Sequence, residues 1–90
     1  MVIYRDNIGI IEGYRQANGY WHIVRFEVFP EHRGNGLAYQ LAKHIPQQAT
    51  LIACSDNLSK NDIVRFYKKL GFEQTMPESA IMSRGAKNDL

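Results

Sequence analysis

The chain has one cysteine, Cys54, so no disulfide can close within it, which accords with a reducing cytoplasm. That thiol and three scattered histidines, His22, His32 and His44, give no zinc-ligand spacing. Long apolar runs are missing too. None exceeds four residues (Leu51-Ile52-Ala53-Cys54 is typical), against about 18 for a helix that crosses a bilayer. The opening residues, MVIYRDN, lack a basic stretch followed by an apolar core, so no secretory signal is expected. Neither sign of charge dominates: eleven Lys and Arg against nine Asp and Glu leave +2, too little for nucleic-acid binding by bulk charge. What is present is the balance of a folded chain, 44% hydrophobic and 22% charged, in 90 residues that suffice for one domain and not two. The expectation is a small, metal-free, cytoplasmic domain over residues 1–84, with a polar tail at 85–90.

The pattern along the chain predicts a single α/β (α+β) domain in the order β-β-β-loop-α-β-α-β-β. Val2 to Arg5 and Ile8 to Tyr14 read as strands around an Asp6-Asn7 turn. Asn18-Gly19 signals a tight primed hairpin turn, since both residues tolerate positive φ. A long strand follows from Tyr20 to Phe29, stopped by Pro30. Strict alternation would put His22, Val24, Phe26 and Val28 on its core face, and Trp21, Ile23, Arg25 and Glu27 on the other. Leu37 to Ile45 has helical spacing and ends at Pro46. Thr50 to Ser55 reads as a strand, in which Cys54 is expected to be a small core residue. Ser59, with Asp62 three positions on, caps a second helix whose stripe is Ile63, Phe66, Tyr67 and Leu70, and Gly71 ends it. Phe72 to Thr75 and Ala80 to Arg84 complete the strands. Two strand–helix–strand crossovers imply a mixed sheet, antiparallel at its start and parallel in the middle.

The stretch from Val28 to Ala38 carries the chemistry. A strand runs into the glycine-punctuated loop Arg33-Gly34-Asn35-Gly36 and opens a helix at Leu37-Ala38. Such a loop presents unpaired backbone N–H groups to an anion, and two glycines remove the Cβ atoms that would hold a diphosphate away. The same residues also suit a plain strand-to-helix turn.

Downstream lies Asn61-Asp62-Ile63-Val64-Arg65-Phe66-Tyr67-Lys68-Lys69-Leu70-Gly71-Phe72. Together the two segments resemble the GNAT N-acetyltransferase superfamily. Arg33-Gly34-Asn35-Gly36-Leu37-Ala38 fits its arginine-x-x-glycine-x-glycine/alanine signature, and the second segment is similar to its asparagine-led helix. Ile81-Met82-Ser83-Arg84 resembles its closing strand. The resemblance implies an acyl-CoA N-acyltransferase fold with acetyl-CoA as co-substrate. It further implies that the N–H groups from Gly34 through Asn35, Gly36 and Leu37 to Ala38, with Arg33, hold the diphosphate. The backbone at Glu27 and Val28 would pair with the pantetheine arm, Asn61 would hydrogen-bond it, and Tyr67 would lie near the thioester sulfur.

Acetyl transfer to a primary amine then needs a donor for the developing oxyanion, for which the Val28 N–H is the candidate, and a proton for the departing thiolate, from Tyr67. A lysine-like amine, with a pKa of about 10.4, must also lose a proton. Either Glu27 or His22 is the candidate base, and a water relay would dispense with both. Basic residues at Lys60, Arg65, Lys68 and Lys69 suit a phosphate-bearing ligand, or simply a solvated helix face.

The chain departs from the family pattern in having only about 32 residues before Arg33, so the usual first strand and two helices are expected to have no counterpart here. That leads to the expectation of an open acceptor site suited to a protein lysine, and of a homodimer or a partner protein covering exposed sheet. The alternative reading is a non-catalytic module that keeps the coenzyme pocket or only the fold and acts by docking to a partner. No nucleic-acid or membrane partner is expected.

Overall fold

The computed structural model describes residues 1–53 and 59–85. Six strands form one mixed sheet: β1 (Val2–Arg5), β2 (Gly9–Arg15), β3 (Trp21–Val28), β4 (Ala49–Ile52), β5 (Glu73–Gln74) and β6 (Ile81–Arg84), in the spatial order β1-β2-β3-β4-β6-β5. β1, β2 and β3 are an antiparallel meander, β3 and β4 run parallel, and β6 is antiparallel to both its neighbours. Two helices make the crossovers, α1 (Leu37–Ala42) between β3 and β4, and α2 (Lys60–Lys69) between β4 and β5. The expected mixed sheet is therefore present, but β6 inserts between β4 and β5, so the second crossover skips a position. The expected strand residues Cys54 and Ser55 lie outside the described residues, as does the tail from 86 onward.

Both helices pack on one face of the sheet. Leu41, Ala42, Ile63, Val64 and Tyr67 share a single buried cluster with Ile11, Ile23, Leu51 and Met82. The opposite face carries no helix among the described residues. There, Tyr14, His22, Thr50 and Ser83 lie in one register row. Ile52 pairs with Ile81 beside it, and these two, Tyr14 and Val24 are all exposed.

Local chemistry explains most element boundaries. Ser59 caps α2, its hydroxyl accepting the Asp62 N–H at 3.2 Å. At the other end Gly71 adopts φ +95°, and the Gly71 and Phe72 N–H groups donate to the carbonyls of Lys68 and Tyr67. This is a Schellman ending, and the ring contact between Tyr67 and Phe72 (centroids 5.6 Å apart) supplies its usual apolar closure. α1 is shorter than its spacing predicts. Beyond Ala42 the N–H groups of Lys43, His44 and Ile45 bond three residues back, so the chain tightens into a 3₁₀-like turn before Pro46.

Two expectations for the first hairpins need correction. The Asn18-Gly19 turn is not of the primed type, because only Gly19 has positive φ (+90°). The Gln16 carbonyl accepts the Gly19 N–H, and the Asn18 side chain accepts the Tyr20 N–H at 2.9 Å, so a longer loop with one left-handed glycine joins the strands.

The strict alternation of β3 also fails. Glu12 lies opposite Arg25 while Gly13 lies opposite Ile23, which leaves Val24 as an extra, bulged residue. Trp21 and Ile23 therefore face the core before the bulge, and Phe26 and Val28 after it, while His22 turns outward and Val24 is 60% exposed. Gly13 permits the bulge: a Cβ there would lie 2.3 Å from the His22 carbonyl oxygen.

Candidate active site

Beyond the bulge, β3 has a free edge. Its parallel pairing with β4 covers only Trp21↔Ala49, His22↔Thr50 and Ile23↔Leu51, so Val24 to Val28 have no strand neighbour on that side among the described residues. The Phe29 N–H is committed to the Ile8 carbonyl on the β2 side, at 2.8 Å. Because successive residues of a strand alternate, the Val28 N–H and C=O point the other way, toward the free edge. A backbone edge of this kind can accept an extended polar chain as an added strand.

The glycine loop follows at once. Pro30–His32 make one 3₁₀ turn, then Gly34 and Gly36 adopt φ +84° and +73°, leading into α1 with no side-chain cap at Gly36. Nothing lies within 4 Å of the position a Cβ would take at either glycine. A side chain at either position would therefore project into the open space in front of the loop. Arg33 does not reach into it. Its Nε donates to the Val28 carbonyl at 2.9 Å, and its Nη2 lies 3.5 Å from Glu27 Oε2. Asn35 is exposed, and Leu37 and Ala38 are half-buried at the start of α1.

Tyr67 is buried (8% exposed) on the inner face of α2, ringed by Phe26, Phe66 and Phe72 with centroids 5.1 to 6.1 Å away. Phe26 stands two residues from Val28 on the same face of β3, so the structure brings Tyr67 to the half of that strand with the free edge. Tyr39 of α1 closes the aromatic cluster, 4.8 Å from Phe66.

Asn61 is exposed in the first turn of α2 and lines an open groove of about 390 Å³ with Lys60, Val64, Arg65, Lys68, Gln74 and Glu78. Six helical residues correspond to about 600° of rotation, so Asn61 and Tyr67 leave α2 in different directions. The helix does not bring the two together. Lys60 Nζ donates to the Glu78 carbonyl across the groove.

The two candidate bases lie elsewhere. Glu27 faces away from the helices, its Oε1 accepting both Arg25 Nη2 at 2.7 Å and Arg25 Nε at 3.1 Å. Arg25 also bonds Glu12 at 3.0 Å, and these two carboxylates, Glu12 foremost, raise the Arg25 pKa. His22 lies six residues before Val28, about 20 Å along a strand, on the helix-free face. Its Nδ1 is 2.8 Å from Thr50 Oγ1, which also accepts Gln16 Nε2. Sequence reasoning missed the Arg25–Glu27–Arg33 chain of charge. The recurrence of opposite charges two residues apart on one strand is the signal that could have found it.

No group of histidine, cysteine or acidic residues among those described could hold a metal ion, and no helix there is long and apolar enough to cross a membrane. Neither the curated proteins nor the solved structures give a significant match to the chain. The family model for the acetyltransferase (GNAT) domain does match, over residues 1–74, from β1 to the end of β5. With the glycine loop at the mouth of a half-paired β3, that match makes this chain a member of the GNAT acetyltransferase family.

Proposed function

We propose that the chain transfers the acetyl group of acetyl-CoA to a primary amine by direct attack in a ternary complex. The free edge of β3 opening onto the Arg33–Ala38 loop carries this reading. The loop N–H groups hold the diphosphate, and the pantetheine arm pairs with the backbone at Val28, because the N–H and C=O of Glu27, like the N–H of Phe29, turn toward β2. Asn61 contacts the arm from the start of α2.

The amine nitrogen attacks the thioester carbonyl, the new C–N bond forms, and the carbonyl oxygen becomes an oxyanion that the Val28 N–H stabilises. Collapse breaks the C–S bond, and Tyr67 gives its proton to the thiolate. The amine's proton leaves to Glu27, to His22 or through water. The pairing of Glu27 with Arg25 and the distance of His22 favour water. The enzyme is placed in the cytoplasm on the sequence grounds above. A protein lysine is the preferred acceptor, because the helix-free face leaves the site's surroundings open.

The same face supports a homodimer. Val24, Ile52 and Ile81 are apolar and exposed, and beside them Glu12, Arg25, Glu27 and Arg33 offer both signs of charge. A second copy turned about a two-fold axis meets opposite charge with such a surface. A non-catalytic docking module is the rival reading, favoured by that bare face alone.

Native mass spectrometry with and without acetyl-CoA tests the coenzyme site and the pairing of subunits. One adduct per subunit supports the coenzyme site, and the same spectrum reports whether subunits pair. A folded chain with no adduct at saturating coenzyme overturns the enzyme reading.

A further inference from the structure

The Arg33 guanidinium sits where an incoming ligand would have to bond. Its Nε–H fills the Val28 carbonyl, the last acceptor on the free edge of β3, and its Nη2 leans on Glu27. The Arg33 side chain is 44% exposed, and the polar contacts that hold its guanidinium here are those to Val28 and Glu27. Charge-assisted bonds from a guanidinium to phosphate oxygens are stronger than a bond to a neutral carbonyl, and they match its planar fork.

We propose that Arg33 makes the β3 edge selective for thioesters that carry a diphosphate: it occupies the Val28 carbonyl in the free protein and leaves it when phosphate binds at the adjoining glycine loop. This rests on the coenzyme reading above and adds to it a reason why a bare pantetheine thioester binds poorly. Such a thioester must compete with Arg33 for the carbonyl, whereas a diphosphate draws the competitor away. A ligand shifts this equilibrium only by its differential affinity for the two placements of the guanidinium, and the phosphate supplies that difference.

Linkage then requires phosphate and pantetheine to help one another even when they are separate molecules. The test titrates pantetheine into the protein by calorimetry, with and without saturating inorganic pyrophosphate, alongside acetyl-CoA. In the wild type, pyrophosphate should tighten pantetheine binding about 3- to 10-fold, and pantetheine should tighten pyrophosphate by the same factor. Arg33→Ala should bind pantetheine more tightly than the wild type, lose the dependence on pyrophosphate, and bind acetyl-CoA more weakly.

Wild-type protein that binds acetyl-CoA but shows no coupling between the two fragments overturns this inference and leaves the coenzyme reading standing. Coupling that survives in Arg33→Ala overturns it equally. A folded wild type that binds none of the three ligands overturns both. The wild-type coupling is measured without any substitution, so a failure of Arg33→Ala to fold does not prevent the test.

Discussion

Arg84 lies with its guanidinium 4.5 Å from the centroid of the Phe72 ring and donates from Nη1 to the Leu70 carbonyl at 2.8 Å. Its other nitrogens reach the carbonyls of Ile45, Pro46 and Gln47 at 2.9 to 3.3 Å. One side chain at the end of β6 thus satisfies the C-terminal carbonyls after both helices, which would otherwise lack donors. Burial lowers its pKa from the usual arginine value.

Arg84→Ala should therefore lose about 2–3 kcal/mol of stability, since it leaves half-buried carbonyls without partners and strips the face of Phe72. Urea unfolding should show a lower midpoint with an unchanged slope, and the melting temperature should fall by about 10 °C or more. Arg84→Lys, which keeps the charge without the fork, should recover only part of the loss.

Gly13→Ala should be at least as damaging. Its Cβ would meet the backbone of His22 at 2.3 Å, and backbone cannot move aside cheaply. The expected cost is about 2–3 kcal/mol, from the strain of forcing the Val24 bulge apart. Hydrogen exchange should show amides of β2 and β3 opening first.

Gly34→Ala separates binding from stability. Its φ of +84° makes alanine strained by about 1 kcal/mol, yet the new methyl group meets no atom of the protein. The unfolding midpoint should drop slightly, while acetyl-CoA binding measured by calorimetry should weaken at least tenfold. Unchanged affinity would remove the diphosphate from this loop.

Tyr67→Phe retains the ring contacts with Phe26, Phe66 and Phe72 and loses only the hydroxyl. Stability should change by about 1 kcal/mol. Turnover should fall about 100-fold with the acetyl-CoA dissociation constant unchanged, as expected for a lost general acid. Turnover within twofold of wild type would exclude Tyr67 from proton transfer.

Asp6 gives the fold an acid-sensitive point. The Tyr4 hydroxyl, donating to Oδ2 at 2.7 Å, is the main cause that holds this carboxyl below the usual range. The N–H groups of Ile8 and Gly9 and the nearby His44 act in the same direction, against partial desolvation. A lowered folded-state pKa contributes stability that is fully present above the unfolded value of about 3.9 and is lost as the pH falls through the folded value. Asp6→Asn should be less stable than wild type at neutral pH. The two unfolding midpoints should converge as the pH drops below about 4, and parallel curves would show that Asp6 plays no part.

Local signals made much of this fold legible. Ser59, Asp62 and Gly71 set the ends of α2 as their types suggest, and the Asp6-Asn7 and Asn18-Gly19 pairs mark real turns. The Asn18-Gly19 turn type and the short end of α1 failed on local geometry, whereas the larger failures depended on partners distant in sequence. The alternation of β3 breaks because Gly13, on the neighbouring strand, admits Val24 as an extra residue. Nothing in residues 72–84 states that β6 enters between β4 and β5. At the site, the glycines of the Arg33–Ala38 loop were visible as a motif, but the Arg33 bond to Val28 depends on the path the chain takes between them.

The place of β6 also bears on synthesis. β4 emerges early and finds β3 on one side, but its other edge waits for Ile81 to Arg84, about thirty residues later. Until those residues leave the ribosome, Leu51 lacks its neighbour Met82 and the carbonyls after both helices lack Arg84. The sheet therefore closes from its middle and last of all, so a nascent chain paused within α2 would expose an apolar strand edge that invites capture by a chaperone or by another nascent copy.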